Sequence, residues 1–175
     1  MYEEIGELEP ALEYFHRSLE AYEQIGDAGG GALILTALAR VHNARGEHDQ
    51  ALKILAQAMR TSELAENREQ EAIILMHMGA AHGGLGQFAQ ALELLHDSLQ
   101  RATEMDKRDL IKDVHLQLYE VLAALGREGE ALHHVRIHDA MKDTLFARRF
   151  GQQLEEMQTR YETERLRRGA LAQDE

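Results

Sequence analysis

The 175-residue chain has no cysteine, no tryptophan and a single proline, and only 5% of it is aromatic. Without cysteine there is neither a disulfide framework nor a thiolate metal site, and the composition suits a reducing compartment. No run of about 18 apolar residues occurs, and the N-terminus lacks a basic region followed by an apolar one. A spanning segment and a secretion signal are therefore not expected. Basic residues are scarce: 19 Lys and Arg face 31 Asp and Glu, for a formal charge of -12. A nucleic-acid binder carries a basic patch or stripe, so that class is disfavoured. With 44% hydrophobic residues, the chain can build one sizeable core, and a cytoplasmic helical protein is the expectation.

What the chain does have is a repeat. Gly6, Gly46, Gly86 and Gly126 lie forty residues apart. Five residues after each comes Ala-Leu, at Ala11-Leu12, Ala51-Leu52, Ala91-Leu92 and Ala131-Leu132. A bulky apolar side chain follows at Phe15, Leu55, Leu95 or Val135, and then a small one at Ser18, Ala58 and Ser98, with His138 in the fourth copy. In the third unit, Ile74, Leu75, Met78, Ala81 and His82 mark one helix face. Gly86 then supplies a C-cap, and Phe88, Ala91, Leu92, Leu95 and Leu99 mark a second helix. Small residues at matching places, Gly79 with Ala91 and Ala39 with Ala51, let paired helices approach closely. Each pair buries its apolar face by stacking on the next.

A small residue (Ala39, Gly79), a glycine seven positions on, then Ala-Leu and a bulky apolar side chain resembles the tetratricopeptide repeat. The units are longer than its usual length of about 34 residues, and Glu63 and Thr103 stand where its closing proline would fall. Such lengthening is similar to the extended variety of bacterial signalling proteins, with "AYEQIGD" from Ala21 to Asp27 a typical end of a second helix. The resemblance spans roughly Tyr2 to Asp143. It implies an all-α fold, an α-solenoid of helix-turn-helix units: a half repeat at 1–27 and repeats at about 28–67, 68–107 and 108–143. Fold is thereby indicated, but no chemistry.

Both ends are expected to be open. "MYEEIG" reads as the last turn of a first helix, which leaves the helix from about Leu8 to Ile25 without a partner and exposes Leu12, Phe15 and Leu19. A chain continuing upstream, or a second chain, would cover that face. At the other end, residues 144–175 show no glycine turn. Phe150, Leu154, Met157, Tyr161, Glu164, Arg168 and Leu171 advance in steps of four and three, a heptad seam. Residues 142–175 hold seven basic and seven acidic side chains, so the net negative charge belongs to residues 1–141. One long helix pairing in a parallel dimer through Phe150, Leu154, Met157, Tyr161 and Leu171 is one reading. The other has Phe146, Phe150 and Leu154 fold back to cap the last repeat. Gly151 and Gly169 each weaken such a helix by about 1 kcal/mol relative to alanine. "KDTLF…LEEMQTRYETER" looks like the connector that, in bacterial signalling proteins, leads into a GGDEF-type diguanylate cyclase or a histidine kinase.

Candidate chemistry is thin. His134 and His138 share a helix face at metal-ligand spacing, but a third ligand is missing, and a solvated or partly packed face is the simpler account. The His-Asp dipeptides at His48, His96 and His138 fall on different repeat phases. His42 and His82 take the place of an aromatic and are expected to pack between helices. "DAGGGAL" from Asp27 to Leu33 lacks the lysine and preceding strand of a phosphate loop and reads as an inter-repeat turn. There is no support for nucleophilic catalysis, so no enzyme and no cofactor are expected.

What remains is the inner surface, lined in such repeats by the first helix of each unit. The second unit contributes Leu33, Thr36, Arg40 and Asn43. The third contributes Ile73, Met76, Ala80 and Gly83; the fourth, Asp113, Leu116 and Glu120. Arg40 and Asn43 suit a peptide backbone or carboxylate. The expectation is a non-catalytic input module that binds a protein or peptide there, forms a homodimer through its last helix and controls an attached output domain, such as a diguanylate cyclase. A stand-alone scaffold or adaptor with a capping tail is the alternative. Neither nucleic acid nor membrane enters either reading.

Overall fold

The computed structural model describes the backbone of residues 2–171 and the side chains of residues 13–163 apart from Glu23 and Glu162. Its secondary structure is helical throughout: α1 (Tyr2–Ile25), α2 (Ala28–Ala44), α3 (His48–Leu64), α4 (Arg68–Gly84), α5 (Phe88–Glu104), α6 (Arg108–Ala124) and α7 (Glu128–Leu171). Helices α2 to α6 are each 17 residues long. The pairs α2–α3 and α4–α5 fill the forty-residue units.

The turns have half that period. A left-handed residue stands at Gly26, Gly46, Glu66, Gly86, Asp106 and Gly126. After each, a backbone N–H reaches back five residues: Asp27 to Tyr22, Glu47 to His42, Asn67 to Ser62, Gln87 to His82, Lys107 to Ala102 and Arg127 to Leu122, at 2.9–3.1 Å. These bonds satisfy the carbonyls that each helix end leaves open. Glycine takes a positive φ freely, whereas Glu66 and Asp106 take it against a Cβ clash.

Two glycine readings need correction. Gly6 closes no helix, because α1 runs through it from Tyr2. "DAGGGAL" is no turn but the start of α2, with Asp27 as N-cap accepting the Gly30 amide at 3.0 Å. The glycines serve packing there: a Cβ on Gly30 would lie 2.2 Å from the Tyr22 ring. Phe15 and Leu19 are partly buried against the α2–α3 core and are not left bare.

Two apolar clusters fill the stack. Leu35, Leu38, Ile54, Leu55 and Ile74 form one, joining α2, α3 and α4. Met76, Leu95, Val114, Leu118 and Ala131 belong to the other, which extends from α4 to the first turn of α7. Helices pack in chain order from α1 to α6, and in addition α2 packs on α4 and α4 on α6, whereas α3 and α5 do not touch. Closer approach on one side curves a stack toward that side, so α2, α4 and α6 form the inner layer of an α-solenoid. Buried polar links tie α4 to its neighbours: Gln70 Nε2 donates to Thr36 Oγ1 of α2 at 2.7 Å, and Ser98 Oγ of α5 donates to the Ala72 carbonyl at 2.7 Å.

Compact packing divides the chain into units Met1–His138 and Asp139–Glu175, with the division inside α7 and ahead of the expected boundary at 143. Within the second unit the described residues, up to Leu171, continue α7 without a break. No described helix is long and apolar enough to cross a membrane.

Candidate ligand-binding groove

The inner layer of the first unit encloses a groove of about 840 Å³. Its walls come from α2, α4 and α6, joined at one edge by His48 from α3. Small residues make it deep. A Cβ on Gly83 would stand 2.9 Å from Val121 Cγ2, and one on Gly84 would stand 2.3 Å from His48 Nε2. Both glycines therefore hold room for a neighbour's side chain.

The repeat places equivalent positions in rows across the helices. Arg40, Ala80 and Glu120 form one row: a cation on α2, a methyl group on α4 and a carboxylate on α6. Ile73, Met76 and Leu116 supply the apolar surface beside it. Arg40 and Glu120 are exposed and form no ion pair among the described residues. Other charges are engaged: Asp113 with Lys112 at 3.0 Å, and Glu69 with Lys107. Asn43 is held by both ends of its amide, donating to the His77 carbonyl at 3.2 Å and lying 3.1 Å from His48 Nδ1. Burial, helped by the Arg40 charge, pushes the His77 imidazole down to about 4. At neutral pH His77 is therefore an uncharged wall.

Nine of the eleven inner-surface residues named from the sequence line this groove: Arg40, Asn43, Ile73, Met76, Ala80, Gly83, Asp113, Leu116 and Glu120. Leu33 and Thr36 do not. Leu33 is 54% exposed and lies away from the lining. Thr36 is buried, donating to the Ala32 carbonyl at 2.8 Å while accepting from Gln70. Sequence inspection missed His48, His77 and Gln117, which also line the groove. Gln117 and His77 are forty apart, so repeat register could have found them.

Four other histidines, His42, His82, His115 and His134, make hydrogen bonds within the first unit. His42 Nδ1 lies 2.5 Å from Glu47 Oε2, and His82 Nδ1 lies 2.5 Å from Gln87 Oε1, so both fasten a helix to its own turn. His134 bonds to His115 of α6. No group of three His, Cys, Asp or Glu side chains among the described residues could hold a metal ion.

On α7, Phe150, Leu154, Met157 and Tyr161 are exposed by 43–68%. They form a continuous apolar stripe, with Phe150 stacked on Phe146 at 6.5 Å between ring centroids. The side chain of Leu171, the last expected member of the seam, lies outside the described residues.

Comparison with known proteins agrees with the fold. Two family models described as "Tetratricopeptide repeat" match residues 1–64 and 72–105. No curated protein matches the chain. Among solved structures, that of BtubC (BKLC) from P. vanneervenii is similar, with a TM-score of 0.65 and 16% sequence identity. The match covers 79% of this chain and 58% of that one. At this identity the likeness shows the fold alone.

Proposed function

The chain is built of tetratricopeptide repeats, and we propose that it is a non-catalytic docking module whose groove between α2, α4 and α6 binds a segment of a partner protein. The observation that carries this reading is the groove itself. Three successive repeats contribute to a cleft of a size typical of ligand sites, with an apolar floor and two uncompensated charges of opposite sign on its walls. Repeat arrays use such inner surfaces for binding.

The test is selection of decapeptides from a random display library by the whole chain. Enriched peptides should bind in solution and be lost on Leu116→Asp, a partly buried wall position, with helical content unchanged by circular dichroism. A library with no enriched binder, or binders indifferent to Leu116→Asp, would remove the groove as the docking site.

The exposed stripe on α7 supports a second element, pairing of two copies through Phe150, Leu154, Met157 and Tyr161. Burying four large apolar side chains favours association. The connector-like sequence of this segment supports an input role, in which pairing sets the geometry of an attached output domain.

A further inference from the structure

We infer that the groove takes an extended segment bearing one acidic and one basic residue about five or six positions apart, with apolar residues between them. The inference rests on the docking reading and specifies its ligand. Arg40 and Glu120 occupy equivalent positions on α2 and α6, with Ala80 at the equivalent position of α4, so a chain lying along that row crosses the helices and meets both charges. Neither charge is neutralised within the described structure, while the neighbouring Asp113 already has Lys112 at 3.0 Å. The row thus presents one open cation and one open anion. A ligand carrying a carboxylate at the α2 end and an ammonium or guanidinium at the α6 end matches both.

Length follows from helix geometry. Packed helices lie about 8–10 Å apart, so α2 and α6, on either side of α4, are about 16–20 Å apart. An extended chain advances about 3.3 Å per residue and covers that span in about five or six residues. Ile73, Met76 and Leu116 flank the row and receive the apolar residues between the charges. Gln117, which has no hydrogen bond among the described residues, lines the same space and suits a peptide amide.

Peptide selection with two forms of the whole chain tests the inference. Wild-type protein should enrich decapeptides with one acid and one base at that spacing. Arg40→Glu should bind those peptides about tenfold more weakly and, in its own selection, enrich peptides with two basic residues. Arg40→Gln should weaken binding about fivefold, the scale of one exposed ion pair. Arg40 is exposed and outside the core, so both variants should fold, as circular dichroism checks. If wild type enriches binders lost on Leu116→Asp but lacking the acid–base pair, or if Arg40→Glu selects the same peptides, the inference is wrong and the docking reading survives. If nothing is enriched, both fall.

Discussion

His115 of α6 and His134 of α7 place their Nδ1 atoms 2.8 Å apart, with the rings 5.0 Å between centroids. One ring must donate a proton and the other must accept, so the contact holds only while at least one ring is neutral. Burial pushes His115 down to about 4, and His134, His133, His138 and His96 add electrostatic pressure in the same direction. His134 is lowered as well, by burial and then by His133 and His96, against an opposing pull from Glu130.

A pH dependence of stability follows. His115 and His77 have folded values of about 4, against about 6.5 when unfolded. The unfolded chain therefore binds more protons between those limits. Their contribution is complete above about pH 6.5 and is lost as pH falls toward 4. Thermal melts at pH 7.5 and 5.0 should show a lower Tm at pH 5.0 by about 5 °C or more. His115→Gln should reduce that difference by roughly half, since one of two such rings is removed. A Tm that is flat or rises on acidification would contradict this.

The left-handed turns predict opposite effects of glycine. Glu66→Gly should raise stability by about 0.5–1 kcal/mol, because it relieves a positive φ of 52° on a residue with a Cβ. Gly86→Ala should lower stability by about 1 kcal/mol although a Cβ there meets nothing within 4 Å. Urea unfolding midpoints of both variants decide the matter, and a lower midpoint for Glu66→Gly would count against it.

Gly79 and Gly129 separate close packing from helix propensity. A Cβ on Gly79 would lie 2.7 Å from Leu95 Cγ and 3.2 Å from the Ala91 carbonyl oxygen. Gly79→Ala should therefore destabilise by about 1–3 kcal/mol. Gly129 lies in the first turn of α7 with open space around it, and Gly129→Ala should be neutral or stabilising by up to about 1 kcal/mol. Equal effects in calorimetry would show that the α4–α5 approach is looser than described.

Self-association is checked by sedimentation equilibrium. The whole chain should weigh twice its 19.8 kDa, and Leu154→Glu combined with Met157→Glu should return it to the monomer. Both positions are exposed, 43% and 65%, so folding of the repeats should be unaffected. A variant that remains dimeric would move the interface away from the stripe.

Much of this molecule was legible in the residues. The forty-residue recurrence of Gly46, Gly86 and Gly126, with Ala51 and Ala91 each five residues after its glycine, defines helix pairs. Each signal is local: glycine relieves a backbone clash, and small side chains permit close approach. Nine groove residues followed from the resemblance, which puts the first helix of each unit inside, and from register, since equivalent positions on repeated helices face the same way. Thr36 was misplaced because a neighbour covers it: Gln70, thirty-four residues away, caps its hydroxyl. The repeat boundaries near 67 and 107 were legible, but the left-handed backbone at Glu66 and Asp106 was not, because neither residue type favours a positive φ.

By itself, then, the sequence determined the repeat, the helical period and the small-residue positions, because each depends on contacts within one or two turns of chain. Tertiary structure decided which side of the stack is inner, which charges stay open there and which histidines meet. Those outcomes depend on how α2, α4 and α6 pack across repeats. Arg40 and Glu120 lie eighty residues apart in the chain and share a groove only after three repeats have stacked.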